Sequence, residues 1–490
     1  MSQCLAEMRF SWMPMADESV IPGQIRFNVY AWAISPLTLK EGVSMLNEQT
    51  YVIGQIKERD IHFIRFWFTD VLGNLKSFSV NDPEFEHAFE EGMGFDGSAI
   101  EGFGHLKKSD MVAFPEAETF QILPWRPKDK GVARVFCEIR RPDGSIFDGD
   151  PRYVLKRMVD KAADKGFLLN IGPKLEFFYF KDDKGTEPLD KAGFFDLTSM
   201  DHASDLRRST IFTLEKMSIP VEYSHHEAAP SQQEIDLHYS DALSMADAVM
   251  TYKLVVKQIA LEHGVYASFM PKPVAEWNGS SMHVHQSLVD LDGNFLFYDE
   301  SDPDGYNLSK LAKHYIAGLL KYAPEYMLVT NQYVNSYKRL IQEGTTSPRY
   351  VCWGYDNRNA LVRVPHYKPN KAEAMRAELR LPDPAANPYL AFSALLAAGL
   401  KGIEDELELP ASCDDIDLVK ASEEELRALG IEPLPRSLEE ALERFRNSKL
   451  MRETLGDTIF EVLIDNKEKE IDEYRRQVSQ WELDKYLEVL

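Results

Sequence analysis

Leu175-Glu176-Phe177-Phe178-Tyr179-Phe180 is the stretch on which the fold turns. Apart from one carboxylate it is aromatic and apolar, of strand length, and side chains alternate across a strand. Glu176 therefore shares a face with Phe178 and Phe180. A carboxylate buried there is costly unless it is paired or bound to a metal. The alternative is an edge strand with Glu176 in water. Lys174, two residues earlier in Gly172-Pro173-Lys174, has the same parity and points to the same side.

Further acidic and imidazole groups sit in similar surroundings downstream. His225-His226-Glu227 and Gln232-Gln233-Glu234 flank Ala228-Ala229-Pro230. Asn278-Gly279-Ser280-Ser281-Met282-His283-Val284-His285 sets two histidines on one strand face. Arg376-Ala377-Glu378-Leu379-Arg380 places a carboxylate between two guanidinium groups of the same parity. Singly, each is a commonplace polar residue. Together they offer three carboxylates and a neutral imidazole to a hard cation, Mg²⁺ or Mn²⁺.

Before this region, Ile61-His62-Phe63-Ile64-Arg65-Phe66-Trp67-Phe68, the turn Leu72-Gly73-Asn74 and a second β-rich run predict a hairpin. Ala133-Arg134-Val135-Phe136-Cys137-Glu138-Ile139 predicts another strand, closed by Pro142-Asp143-Gly144. Asp150 reads as an N-cap, with Pro151 at the first helical position. Longer helices are predicted over 240–263, 307–322 and 387–404, and charged amphipathic helices over 437–490. The expected organisation is an extension over 1–40, a small mixed domain over 41–147 and a larger domain over 148–490. The class is α+β, with helices segregated from a largely antiparallel sheet.

Composition excludes several functions. With 490 residues the chain can bury a large core, and its net charge of -24 argues against nucleic acid as a partner. No run reaches the roughly 20 apolar residues a membrane span requires, and no secretion signal opens the chain. Cys4, Cys137, Cys352 and Cys413 are scattered without CxxC spacing, as expected in a reducing cytoplasm. Gly92-Met93-Gly94-Phe95-Asp96-Gly97 matches GxGxxG, but Phe95 and Asp96 interrupt it and no strand-to-helix turn surrounds it, so a dinucleotide site is not expected. There is no P-loop motif.

Over residues 50–490 the chain resembles the type I glutamine synthetases. The resemblance is carried by Gly94-Phe95-Asp96-Gly97-Ser98-Ala99-Ile100-Glu101-Gly102-Phe103, Asn278-Gly279-Ser280-Ser281-Met282-His283, Asn335-Ser336-Tyr337-Lys338-Arg339-Leu340 and Leu381-Pro382-Asp383-Pro384-Ala385-Ala386-Asn387-Pro388-Tyr389. It implies a β-grasp N-terminal domain, a catalytic domain and a dodecamer of two stacked hexameric rings. It also implies active sites shared between neighbouring subunits, one of which supplies Asp96. Glu176, Glu227 and Glu234 match ligands of a first metal, and His283 and Glu378 ligands of a second. Arg339 and Arg380 match residues that hold glutamate and the transferred phosphate, with Asn278 and Gly279 at the amino-acid backbone. Glu222, His285, Ser287 and Arg376 match nucleotide contacts, and Arg358 a phosphate-stabilising arginine. The implied activity is ATP-dependent joining of the glutamate γ-carboxylate to an amine through γ-glutamyl phosphate. Divalent ions and arginines would offset charge on the moving phosphoryl group.

Departures from the family pattern gather at the amine. Asp96 and Glu227 remain, but Ala99 stands at a serine position and Phe194 at a tyrosine position. The flap from Arg339 to Pro348 is one residue longer, with Thr345 or Thr346 where a glutamate is expected and Glu343 nearby. Each lost hydrogen bond to a charged group costs ~1.5–3 kcal/mol, which makes a poor ammonium cage and a more apolar pocket. An arylamine, neutral at pH 7, fits that change best, as in a γ-glutamylanilide synthetase. A polyamine, with Glu276 or Glu343 at the entrance, and ammonia are the alternatives. Lys174 replaces the glutamate that usually completes the second metal, so either its ammonium takes over part of that charge or the protein is a catalytically impaired oligomer. Ile416 stands near the tyrosine adenylylated in some members, so that control is expected to be absent.

Overall fold

The computed structural model describes residues 41–103, 109–127, 129–197, 199, 201–342, 347–365 and 371–490, with side chains from residue 48 onward. The extension over 1–40 and the flap residues Glu343, Thr345 and Thr346 lie outside the described residues.

After helix α1 (Glu41–Glu58), the predicted hairpin forms from β1 (Ile61–Thr69) and β2 (Leu75–Asn81), followed by α2 (Asp82–Glu91). Strands β3 (Met93–Asp96), β4 (Asp110–Pro115), β5 (Gln121–Ile122) and β6 (Gly131–Arg140) complete a sheet of order β2-β1-β6-β4-β3, with β5 also on β6. The β1–β6 pair is parallel and the others are antiparallel. Alternation splits its side chains between two cores. Phe66, Phe68, Val135 and Cys137 pack under the local helices, whereas Trp67 and Phe136 enter the main core.

Helix α3 (Pro151–Ala163) follows, capped by Asp150, whose carboxylate accepts from Arg152 N. Strand β7 (Leu168–Phe180), α4 (Ser204–Lys216), β8 (Val221–His226), β9 (Gln232–Leu237), β10 (Ser240–Asp241) and α5 (Ala242–Glu262) come next. They lead into β11 (Tyr266–Ser268), β12 (Met282–Val289), α6 (Lys310–Lys321), α7 (Ala323–Thr330) and α8 (Val334–Leu340). Strands β13 (Trp353–Gly354), β14 (Val362–Arg363) and β15 (Ala377–Leu379) close a second sheet of order β13-β14-β15-β12-β7-β9-β8. Only its β13–β14 pair is parallel. Strand β7 lies at its centre, so the edge-strand alternative for Glu176 is excluded.

Leu175, Phe177 and Tyr179 of β7 face the main core, where Phe177 meets Tyr252 of α5 and Phe269. Glu176, Phe178 and Phe180 take the other face, and Trp277 stacks there on Phe178. Helix α9 (Pro388–Glu404) runs through the main core, buried along most of its length. The chain ends in α10 (Glu423–Ala428), α11 (Leu438–Arg446), α12 (Lys449–Leu455), α13 (Asp457–Arg475) and α14 (Gln480–Tyr486). No helix among the described residues is long and apolar enough to cross a membrane.

The predicted helices begin late in the structure because their first residues act as caps. Asp241, Ser309 and Asn387 accept from the backbone N–H of Ser244, Ala312 and Tyr389, and Ser240 and Asp241 pair with β7.

The two cores are joined by a buried ion network. Arg152 donates to both oxygens of Asp247 at 2.9 Å and to Glu116 at 2.6 Å, while the Tyr389 hydroxyl donates to Asp247 at 2.6 Å. Beside it, Arg134 lies over the rings of Trp67 and Phe136. Removing one partner of a buried pair leaves the other uncompensated. Asp247→Asn is therefore expected to destabilise the protein by about 3 kcal/mol, read as a lower urea midpoint at unchanged slope.

Candidate active site

Register partners in a sheet point to the same face, so the pairing builds the site row by row. One row runs His283, Lys174, Asp236, Tyr223 across β12, β7, β9 and β8. The next runs Glu176, Glu234, His225 across β7, β9 and β8. On the other side, Arg363, Glu378 and His285 align across β14, β15 and β12. One face of a central sheet thus carries five carboxylate or imidazole groups that the sequence singled out, together with Lys174.

The acids crowd each other. Burial, then repulsion from Glu227, pushes the Glu176 carboxyl up to about 7. Its oxygens accept from Ser281 N at 2.9 Å, from the Ser281 hydroxyl, and from Gln232 at 3.2 Å. Burial and the neighbouring Asp236 and Glu176 carboxylates push Glu234 well above the usual range. Glu227, just past β8, meets His225 Nε2 at 2.8 Å, and the same nitrogen lies 3.9 Å from Glu234. His225, Glu227 and Glu234 present ligand atoms within 4.8 Å of one another. Mutually repelling buried carboxylates beside an imidazole fit a hard divalent ion. When bound, such an ion offsets the charge of oxygens undergoing phosphoryl transfer.

The opposite side of this face is cationic. Both oxygens of Glu378 are occupied, one by Arg380 at 2.6 Å and the other by Arg363 at 2.9 Å. Burial favours the protonated Glu378, but the surrounding imidazoles and these arginines hold its carboxyl well below the ordinary range. His283 Nδ1 stands 3.7 Å from Glu378, and burial, then the Arg380 charge, keeps that imidazole neutral. Burial holds His285 at about 3, and its Nδ1 accepts from Arg376 Nε at 3.0 Å. Buried donors at Arg363 Nε and Arg380 Nε have no acceptor among the described residues. Orphaned donors of this kind mark a place for an anionic ligand.

The remaining predicted residues have varied settings. Arg339 is buried and donates to the carbonyls of Leu381 and Arg380 at 2.9 and 3.0 Å. A Cβ at Gly279 would meet Pro271 O at 2.5 Å and Arg339 Cγ at 2.7 Å, so only glycine fits against that arginine. Asn278 is exposed beside it, and Ser287 is buried on β12 with the parity of His283 and His285. Glu222 falls at the β8 bulge, where the register shifts between Val221 and Tyr223 and a side chain is re-aimed. Arg358 is exposed on a loop held by Asp414, which accepts from the backbone of Tyr355, Asp356 and Asn357. Ile416 packs at the edge of a small cluster with Cys352 and Cys413.

Asp96 and Ala99 are exposed at the edge strand of the other sheet. Asp96 accepts from Ser98 N and Oγ at 2.8 and 2.9 Å, and Ser109 also bonds to it. No bond joins Asp96 to the acidic face of the same chain among the described residues. Phe194 is 54% exposed; it meets Phe195 at 4.1 Å between ring centroids and the His225 ring at 5.6 Å. Its loop is pinned because Phe195, at φ 58°, donates its N–H to His226 O. Below, His226 bonds through Nδ1 to Glu227 O and through Nε2 to Asp190, while Arg207 holds Asp201. Asp190, Asp201 and His226 stand close enough to hold an ion, but with both imidazole nitrogens engaged and Asp201 paired they serve as an internal ion network.

His225, Gln232 and Ser281 stood in the quoted motifs without a role, and Asp236, Tyr223 and Arg363 were not singled out in the sequence. Asp236 has the parity of Glu234 and His225 lies two residues before a singled-out glutamate, so those two had a local signal. Arg363 had none.

The glutamine synthetase catalytic domain family matches residues 148–486, and the glutamine synthetase β-grasp domain family matches residues 60–142. The chain belongs to the glutamine synthetase family. It is 50% identical over 449 residues to a glutamine synthetase of Mycolicibacterium smegmatis, covering 90% of this chain and all of the relative. The figure is 46% over 443 residues for that of Methanosarcina mazei, covering 90% and 97%. A structure titled GmaS/ADP complex superposes with a TM-score of 0.80 at 30% identity, over 89% of this chain and 99% of that one. Plasmodium falciparum glutamine synthetase shares the fold, with a TM-score of 0.80 at 22% identity over 90% and 98%. The protein is thus an ATP-dependent glutamate–ammonia or glutamate–amine ligase that uses Mg²⁺ or Mn²⁺, with a β-grasp domain ahead of the catalytic domain.

Glu234→Gln removes one of the crowded charges. It is expected to raise the melting temperature in EDTA, by relief of about 1–3 kcal/mol of desolvation and repulsion. The same change is expected to weaken Mn²⁺ binding more than roughly tenfold, seen as loss of the Mn²⁺-induced rise in melting temperature.

Proposed function

We propose that the acceptor of this ligase is an arylamine, so that the product is a γ-glutamyl arylamide. The observation that carries this reading is the aromatic wall beside Glu227. His225, bonded to Glu227, is flanked by Phe194, by Phe195 at 4.5 Å between ring centroids, and by the stacked ring of Tyr223 at 5.7 Å. An amine nitrogen near Glu227 would lay its substituent along these rings, where aromatic packing is worth about 0.5–1.5 kcal/mol beyond area burial.

ATP first phosphorylates the γ-carboxylate, giving ADP and γ-glutamyl phosphate. The acceptor nitrogen then forms the C–N bond as the carbon–oxygen bond to phosphate breaks, and the nitrogen gives its proton to a carboxylate such as Glu227. Arg339, Arg380, Asn278 and Gly279 hold glutamate and the transferred phosphate in this reading. Glu222, His285, Ser287 and Arg376 hold the nucleotide, and Arg358 stabilises the moving phosphoryl group. An aromatic amine arrives neutral and needs no cage to remove a proton first. Asp96, at the end of an edge strand, and Ala99, in the turn after it, are exposed and would come from a neighbouring subunit in a cytoplasmic dodecamer of two six-membered rings.

Ammonia is the second reading, favoured by 50% identity along the full length of a relative named glutamine synthetase. Initial rates of ATP- and glutamate-dependent phosphate release separate the two. Aniline is expected to outrun ammonia and putrescine, and Phe194→Tyr to shift the ratio toward ammonia by about tenfold, the worth of one hydrogen bond to a charge. Fastest turnover with ammonia in the wild type would retire the arylamine reading and leave the ligase itself intact.

A further inference from the structure

The fixed charges around His283 and Glu378 are inconsistent with a second divalent ion on those residues. Lys174 is the register partner of both His283 and Asp236, in the middle of the face. Its Nζ donates to Asp236 Oδ2 and to the Tyr223 hydroxyl, lies over the Tyr223 ring, and stands 3.7 Å from Glu234 Oε1. The side chain is four-fifths buried, at 19% exposure, so its position is set by packing as well as charge. Glu378 already gives one oxygen to Arg380 and one to Arg363. Two fixed guanidinium groups therefore share Glu378, while the Lys174 ammonium is held by Asp236 and, at 3.7 Å, faces Glu234. An incoming divalent ion would find no unshared carboxylate oxygen on Glu378 and an ammonium on the far side of His283. Like charges held close together in a partly buried site repel, and water screens them poorly there.

We propose that Lys174 is a built-in cation that takes the place of the second divalent ion, leaving one divalent-ion site per chain, on Glu176, Glu227 and Glu234. The ammonium, held by Asp236 and Tyr223, supplies positive charge beside Arg363 and Arg380, whose buried Nε donors await an anion. It offsets charge on phosphate oxygens without being exchanged with solution. This inference rests on the ligase chemistry and not on which amine is joined.

The test counts Mn²⁺ bound to the full-length protein without nucleotide, by electron paramagnetic resonance of the free ion during titration. The wild type is expected to bind one ion per chain. Lys174→Glu, which restores a ligand and removes the cation, is expected to bind two. Lys174→Met removes the charge without adding a ligand; it is expected to keep one ion and to release phosphate from ATP and glutamate at least about tenfold more slowly. Two ions of comparable affinity in the wild type overturn the proposal, as does a folded Lys174→Glu that still binds one, or a Lys174→Met as fast as wild type. If Lys174→Glu fails to assemble, the wild-type count and the Lys174→Met rate decide. No amine enters the ion count, so failure of the arylamine reading leaves this result untouched.

Discussion

Carboxylates forced close together on one face of a buried sheet must be neutralised, and the arrangement of the catalytic half follows from how this chain does it. Glu176, Glu234 and Asp236 come from adjacent strands, and Glu227 follows directly after a third. Burial and the neighbouring acids raise Glu176 and Glu234, so these two do not ionise freely without a cation. Two kinds of cation are available. On the Glu227 side the groups are acids and an imidazole, a donor set for a hard metal ion. On the Glu378 side the compensation is covalently attached, as arginines and a lysine. The division runs along β7 and β12, with Lys174 at the boundary.

Such a face needs a rigid support, because carboxylate positions that drift by an ångström alter both repulsion and ion binding. Strand β7 provides it by sending Leu175, Phe177 and Tyr179 into the main core against α5 while its alternate residues carry the chemistry. Through Glu116, just past β4, the Arg152–Asp247–Tyr389 network ties the N-terminal sheet to that core and to the same α5 that backs β7. The edge strand bearing Asp96 is thereby fixed relative to the acidic face of its own chain, with the Asp96 side chain left exposed.

The alternation of β7, the hairpin at residue 61, the cap at Asp150 and the α+β class were legible because each depends on local periodicity or turn chemistry. Helix starts were read a few residues early because Asp241, Ser309 and Asn387 look like helix text yet act as caps. Glu176, Lys174 and the histidines of β12 were legible as polar residues in apolar strands. Their partners were not. Whether Glu378 faces Arg363 depends on β14 pairing with β15, and whether Lys174 meets Asp236 depends on the β7–β9 register; neither is encoded within one strand. Gly279 had a motif to mark it, but the reason for glycine, the approach of Arg339, belongs to tertiary packing.

Two of the departures from the family pattern, Lys174 and Phe194, are linked in space through the rings of Tyr223 and His225. Tyr223 accepts from Lys174 and holds the ammonium over its ring at 4.4 Å. The same ring stacks on His225, which touches Phe194 and Phe195 and bonds to Glu227. A continuous chain of contacts therefore runs from the fixed cation through two rings to the aromatic wall. Cation–ring and ring–ring contacts of this kind depend on mutual orientation. An acidic side chain at position 174 would remove the anchor of Tyr223, release the ring that orders His225, and loosen the surface against which an acceptor would lie. The charge on one side of the face and the apolar wall on the other are thus parts of one packed unit, in which neither position changes without altering the setting of the other.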